Sequence, residues 1–151
     1  MKAKKMLSLL TLIVMFLSIF PTVHASVSGI CGDDITWVLS DNGTLTISGN
    51  GEMYNYGFGY TDLEGEKENL YNGEVPWYTY QNDIKSVIVE PGVTRIGAFA
   101  FEFFKNATSI SLPDGLKSIG TCAFAVCKSL EEINIPETVE KIGDSVFTDL
   151  M

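Results

Sequence analysis

The chain has 151 residues, 46% of them apolar, with 19 acidic against 10 basic side chains and a formal net charge of −9. An acidic surface of this kind repels nucleic acid and anionic lipid, which argues against both as partners. The single histidine is His24, and the three cysteines are Cys31, Cys122 and Cys127.

At the start of the chain Lys2, Lys4 and Lys5 precede an apolar run from Met6 to Phe20, followed by Pro21 and the small-residue site Val23-His24-Ala25. This is the order of a secretory signal peptide, with cleavage expected after Ala25. The run falls short of the ~20 apolar residues that span a bilayer. No later stretch is long or apolar enough to do so, so no membrane insertion is expected after cleavage. The expected product, residues 26–151, is secreted or attached to the cell surface. It keeps seven basic and nineteen acidic residues, a net charge of −12, and no histidine. Without histidine there is no Ser-His-Asp or Cys-His nucleophile pair, and the commonest zinc ligand is missing. An extracellular compartment permits disulfides, yet three cysteines do not pair fully and their spacing matches no metal or redox motif. Cys122 and Cys127 lie five apart in one short element, a poor geometry for a bridge, so the cysteines read as structural.

In "CGDDITWVLSDNGTLTISGNGEM", residues 31–53, Ile35, Trp37 and Leu39 alternate with polar neighbours, "DNG" supplies a turn, and Leu45 and Ile47 alternate again. This predicts a β-hairpin with one apolar face. An isolated hairpin is marginal in water, so its apolar face is expected to lie on whatever follows, with Trp37 in the core. Next comes a segment punctuated by Gly and Asn. It holds the acids Glu64, Glu66 and Glu68 and the aromatics Tyr54, Tyr56, Phe58, Tyr60, Tyr71, Tyr78 and Tyr80. Residues 57–73 read as a surface loop, and Pro76-Trp77 as the start of a short turn. The acids lack the ordered spacing of a calcium loop. Aromatics among acids and glycines suit glycan stacking or protein recognition, which makes Tyr54, Tyr56, Phe58 and Tyr60 candidate loop contacts, unless they pack on the hairpin.

From Ile84 the chain repeats with a 23-residue period, in copies starting at Ile84, Ala107 and Leu130. Val87, Ile110 and Ile133 share a column, as do Val89, Leu112 and Ile135. Later columns hold Ile96, Ile119 and Ile142, each followed by Gly, and then Phe101, Phe124 and Phe147. Apolar residues alternate around "EINIP", which predicts a short strand. After the Ile-Gly pair the spacing changes to that of Ile119, Ala123, Phe124 and Cys127, one stripe of a short helix, with Cys127 on the buried side. Such a unit buries its apolar face only by stacking on others, the logic of a repeat solenoid. The predicted fold is an α/β solenoid of strand-plus-short-helix units with an N-terminal β-hairpin cap.

The pattern I-x-I-P-x-x-V-x-x-I-G-x-x-x-F from Ile133 to Phe147, with the preceding hairpin and "VPWY", resembles the BspA-type leucine-rich repeat proteins of bacterial surfaces and secretions. The resemblance implies a secreted bacterial protein whose solenoid is similar to adhesion modules. It brings neither ligand nor catalytic residue to any position. The first copy departs from the pattern, with Glu90 where Pro113 and Pro136 stand.

The expected division is a signal peptide over 1–25, the hairpin cap and aromatic, acidic loop over 26–83, and three repeats over 84–151. The outward strand positions Ser86, Ile88, Ser109, Ser111, Glu132 and Asn134 form the candidate binding face for an extracellular protein or glycan. Phe99 and Phe103 read as an irregular part of the first-repeat core rather than as a contact ridge. Adjacent acids such as Asp33-Asp34 and Glu131-Glu132 point to opposite sides of a strand and make no glycosidase pair. No cofactor, metal site or catalytic residue is expected, and the chain reads as a non-catalytic module. The face of the last copy, Ile133, Ile135, Val139, Ile142, Phe147 and Leu150, is expected to be uncovered. That face suggests either self-association or the front part of a longer repeat protein whose activity lies elsewhere.

Overall fold

The structure, a computed structural model, describes residues 26–57 and 74–150. The proposed signal peptide and the loop positions Phe58, Tyr60, Glu64, Glu66, Glu68 and Tyr71 lie outside the described residues. Among the described residues, nine strands form two sheets. The first has the order β1 (Val27–Ile30), β2 (Ile35–Leu39), β3 (Thr44–Gly49), β5 (Ser86–Val89) and β7 (Ser109–Ser111). The second has the order β4 (Gly51–Glu52), β6 (Val93–Ile96), β8 (Ser118–Ile119) and β9 (Lys141–Ile142).

β2 and β3 make the expected hairpin, with Trp37 opposite Ile47 and Leu39 opposite Leu45. The Ser40 hydroxyl donates to Asn42 Oδ1 (2.6 Å) and the Thr44 N–H to the same oxygen (3.0 Å), and Gly43 completes the turn at φ 85°. That left-handed backbone favours glycine. A Cβ there would also stand 2.5 Å from the Asp83 carbonyl oxygen, where the first repeat begins.

The hairpin meets the repeats by its edge rather than by lying across them. β3 pairs in parallel with β5, Leu45 opposite Val87 and Ile47 opposite Val89. Its buried side chains therefore share one core with the repeat columns, and Trp37 is buried as expected. The 23-residue period reappears as strand register: Val87 pairs with Ile110, Arg95 with Ser118 and Ser118 with Lys141, and an isolated bridge joins Ile110 to Ile133. The same ladders extend back into residues 44–56. Glu52 pairs with Arg95, and the Tyr56 N–H donates to Ala98 O (3.0 Å). Gly97 follows from this approach, because a Cβ there would run into the Tyr54 carbonyl oxygen.

The helical half of each unit is a correction. Among the described residues the only helix is one 3-10 turn, Tyr78–Tyr80. After each Ile-Gly pair the chain makes consecutive turns, with left-handed residues four apart: Phe99 and Phe103, Cys122 and Val126, Ser145 and Asp149. A left-handed residue every fourth position interrupts the i to i−4 hydrogen bonding of an α-helix. The backbone bonds instead to the following copy. Phe99, Phe101 and Phe103 donate N–H to the carbonyls of Thr121, Ala123 and Ala125, at 2.9, 2.9 and 3.0 Å. Cys122, Phe124 and Val126 repeat the pattern onto Asp144, Val146 and Thr148. Four-residue turns return the same side of the chain inward at nearly the helical period, which is why the sequence mimicked a helix.

An aromatic column runs through these turns. Trp77, Phe101, Phe124 and Phe147 stack at centroid distances of 5.7, 5.7 and 5.9 Å, with each successive pair of planes within 21°. Trp77 donates its indole N–H to Ala100 O (2.9 Å) and receives Trp37 edge-on.

Candidate functional site

The strand pairing assembles the predicted binding face. Thr44, Ser86 and Ser109 stand in one cross-strand row, and Val38, Thr46, Ile88 and Ser111 in the next. Alternation turns their neighbours Leu45, Val87 and Ile110 into the core, so these side chains face away from it. Ser109 and Ser111 are exposed, Ser86 is partly so and donates to the Thr44 hydroxyl (3.1 Å), and Ile88 is 42% exposed. Glu132 and Asn134 are exposed on either side of the Ile133 bridge rather than within a regular strand. The face is thus wider than predicted, because the hairpin adds Thr44, Thr46 and Val38 to it. It is lined with short hydroxyls, with exposed Ile88 and Val38 as its apolar residues.

Of the predicted loop contacts, Tyr54 is partly exposed and donates its hydroxyl to Asp33 Oδ1 (2.8 Å). Tyr56 is a correction. It is 1% exposed and its ring meets Trp77 edge-on at 6.0 Å, so it belongs to the core. Phe58 and Tyr60 lie outside the described residues. The exposed acids Asp33, Asp34, Glu131 and Glu132 gather into no metal-holding group among the described residues.

A second surface lies on the turn side, where Phe99 packs against the core as expected and Phe103 does not. Phe103 is 42% exposed and Phe99 only partly buried. With Trp77, Tyr78 and Phe104 they wall a groove of about 390 Å³ that also takes in Glu74 and Glu102. Among the described residues no basic side chain lines it. Burial in these surroundings holds the Glu102 carboxyl above the usual carboxylate range. The signal available in the sequence was the run Phe99 to Phe104, which has more aromatics than one stripe needs and an acid in its middle.

The cysteines are core groups. Cys127 is fully buried and donates its thiol to Phe101 O (3.2 Å). Burial pushes it up to about 11, against a backbone hydrogen bond at Phe104 and with the Glu102 charge adding to the rise. Cys31, also buried, is pushed up to about 12. Such thiols are inert at neutral pH. Cys122 is partly exposed.

Comparison with known proteins places this geometry. Residues 75–150 match the BspA type leucine rich repeat region (6 copies). The structure is similar to that of a leucine-rich repeat protein from Eubacterium ventriosum ATCC 27560. The identity is 34% and the TM-score 0.63, over 79% of this chain and 28% of that one. It also matches a leucine rich cell surface protein from Faecalibacterium prausnitzii A2-165, at 21% identity and a TM-score of 0.42, over 79% and 33% of the two chains. The chain therefore spans a third or less of the length of either protein. No curated protein matches it. With three copies in register, a 23-residue ladder and a family match over half its length, the chain belongs to the BspA-type leucine-rich repeat family.

Proposed function

We propose that the chain is a secreted or surface-held recognition module of an adhesion type, non-catalytic, which binds an extracellular protein or glycan through the outward face of its first sheet. One observation carries the reading. Ser86, Ile88, Ser109 and Ser111 extend in register with Thr44, Thr46 and Val38, and the core uses none of them. A rigid row of short polar side chains with exposed Ile88 and Val38 among them suits contact with an extended partner, and solenoids present such surfaces. The leader over 1–25, with its lysines, apolar run and small-residue site, supports export. The hairpin serves this surface as a cap: by pairing with β5 it covers the first repeat's strand edge, which would otherwise invite pairing with other chains.

The test is binding of the purified chain to immobilised extracellular-matrix proteins and to a glycan array. It compares the unaltered protein with a Ser109→Arg, Ser111→Arg double variant. Both positions are exposed, so the variant folds. The reading expects the loss of at least about tenfold in affinity for whatever the unaltered chain binds. Unchanged binding by the double variant rejects the sheet face as the site.

A further inference from the structure

The turn-side groove is a surface separate from the sheet face, and its features point to a ligand of definite chemistry. Its walls are aromatic: Trp77 at the base, Phe99, Phe103 and Phe104 along the repeat, and half-exposed Tyr78 at the rim. Gly57 forms part of the floor so closely that a Cβ there would lie 3.0 Å from the Phe99 ring. Its volume of about 390 Å³ lies in the range of small-molecule sites. Among the described residues its charged lining groups are both acids, Glu74 and Glu102.

Two of these walls stand where the fold does not need them. Phe99 and Phe103 sit at φ 57° and 64°, a left-handed backbone that bulky residues rarely adopt. In the next copies the same columns hold Cys122 and Val126, then Ser145 and Asp149, at similar angles. The turn therefore forms without aromatics, while Phe101 and Phe104 already fill the core in the first copy. Two large rings held in a costly conformation, one of them 42% exposed in a groove that also holds the Glu102 carboxylate, mark a functional surface rather than a packing requirement.

Aromatic faces carry negative potential and attract cations. Carboxylates in a partly desolvated groove add to that attraction, and an apolar wall repays the burial of a hydrocarbon body. We propose that this groove binds a small organic cation, an alkylated ammonium group carried on an apolar or aromatic body, with the charge beside Glu102 and the body against Phe99, Phe103 and Tyr78.

The experiment titrates the full chain with benzyltrimethylammonium and follows the amide signals of the groove and the Trp77 indole N–H by NMR. Benzyl alcohol is the neutral comparator and phenylacetate the anionic one. The proposal expects saturable shifts confined to the groove, with benzyl alcohol weaker by about tenfold or more and phenylacetate without effect. Glu102→Gln and Phe103→Ala are each expected to weaken the cation by about fivefold or more. Neither is expected to cost folding, since Glu102 and Phe103 are not fully buried. Equal binding of benzyl alcohol overturns the proposal in favour of an uncharged apolar sink. Absence of saturable shifts, as when another part of the chain fills the groove, overturns it outright, and so does unchanged affinity in both variants.

Discussion

The first and third copies hold isoleucine and phenylalanine in the same two core columns, yet these are buried to different degrees. Ile96 and Phe101 in the first copy are wholly buried; Ile142 and Phe147, at the corresponding positions of the third, are 49% and 36% exposed. The middle copy, with Ile119 and Phe124, is buried like the first. The local sequence of a unit therefore does not decide its burial; its neighbours do. At the leading end the neighbours are supplied by unrelated sequence. β3 and β4 extend the two ladders, and Trp77 takes the place that a phenylalanine holds in each copy.

The largest effect expected from this comparison is in the aromatic column. Phe124→Ala removes a fully buried ring between two stacked partners and is expected to cost about 3–5 kcal/mol. Phe147→Ala, partnered on one side and one-third exposed, is expected to cost less than half as much. Urea denaturation of the two variants checks this. Equal losses break the claim that stacking, and not the copy's own sequence, sets the contribution.

Thiol chemistry sharpens the same contrast. Cys31 and Cys127 lie under covered layers and Cys122 on the turn surface, so alkylation at mildly alkaline pH is expected to label Cys122 first. Cys31 and Cys127 are expected to label only on unfolding, as mass spectrometry with and without denaturant would reveal. Because burial raises both thiols from 9.0, to about 12 and about 11, the folded state holds their protons where the unfolded state releases them. Their contribution is intact below pH 9 and is lost as pH rises from there towards those values. Cys127→Ala is expected to flatten this alkaline decline in a pH series of denaturation midpoints, and an unchanged slope would contradict the burial of the thiol.

The repeat was legible in the sequence because each column repeats an apolar type at an unvarying spacing of 23, and that spacing became the strand register. The hairpin was legible from its alternation and its "DNG" turn. Other features left weaker signals. The turns after Ile-Gly return inward every four residues, a spacing that alternation counts cannot separate from a helix. Trp77 joins the column although it is a different residue type and precedes Phe101 by 24 residues rather than 23, so the column pattern did not point to it. Tyr56 lay in a stretch punctuated by Gly and Asn just before the residues read as loop, while tertiary pairing to Ala98 draws it inward. The sheet face was half visible. Its repeat positions followed from alternation, but the rows that the hairpin adds depend on parallel pairing of β3 with β5, which hairpin signals do not specify.

The smallest expected effect lies where the second and third copies touch at the surface. Lys117 Nζ and Glu140 Oε1 are 3.2 Å apart across 23 residues, with side chains 54% and 70% exposed. Water and salt screen such a pair, and holding two long side chains together costs rotamer freedom. Beside it the Glu140 N–H donates to Lys117 O at 2.8 Å and β8 pairs with β9, so the backbone fixes this junction without the charges. A double-mutant cycle of Lys117→Ala and Glu140→Ala is expected to give a coupling within about 0.5 kcal/mol, smaller still at high salt. A coupling well above that would mean that ion pairing, and not the ladder with its aromatic column, holds the less covered copy to its neighbour.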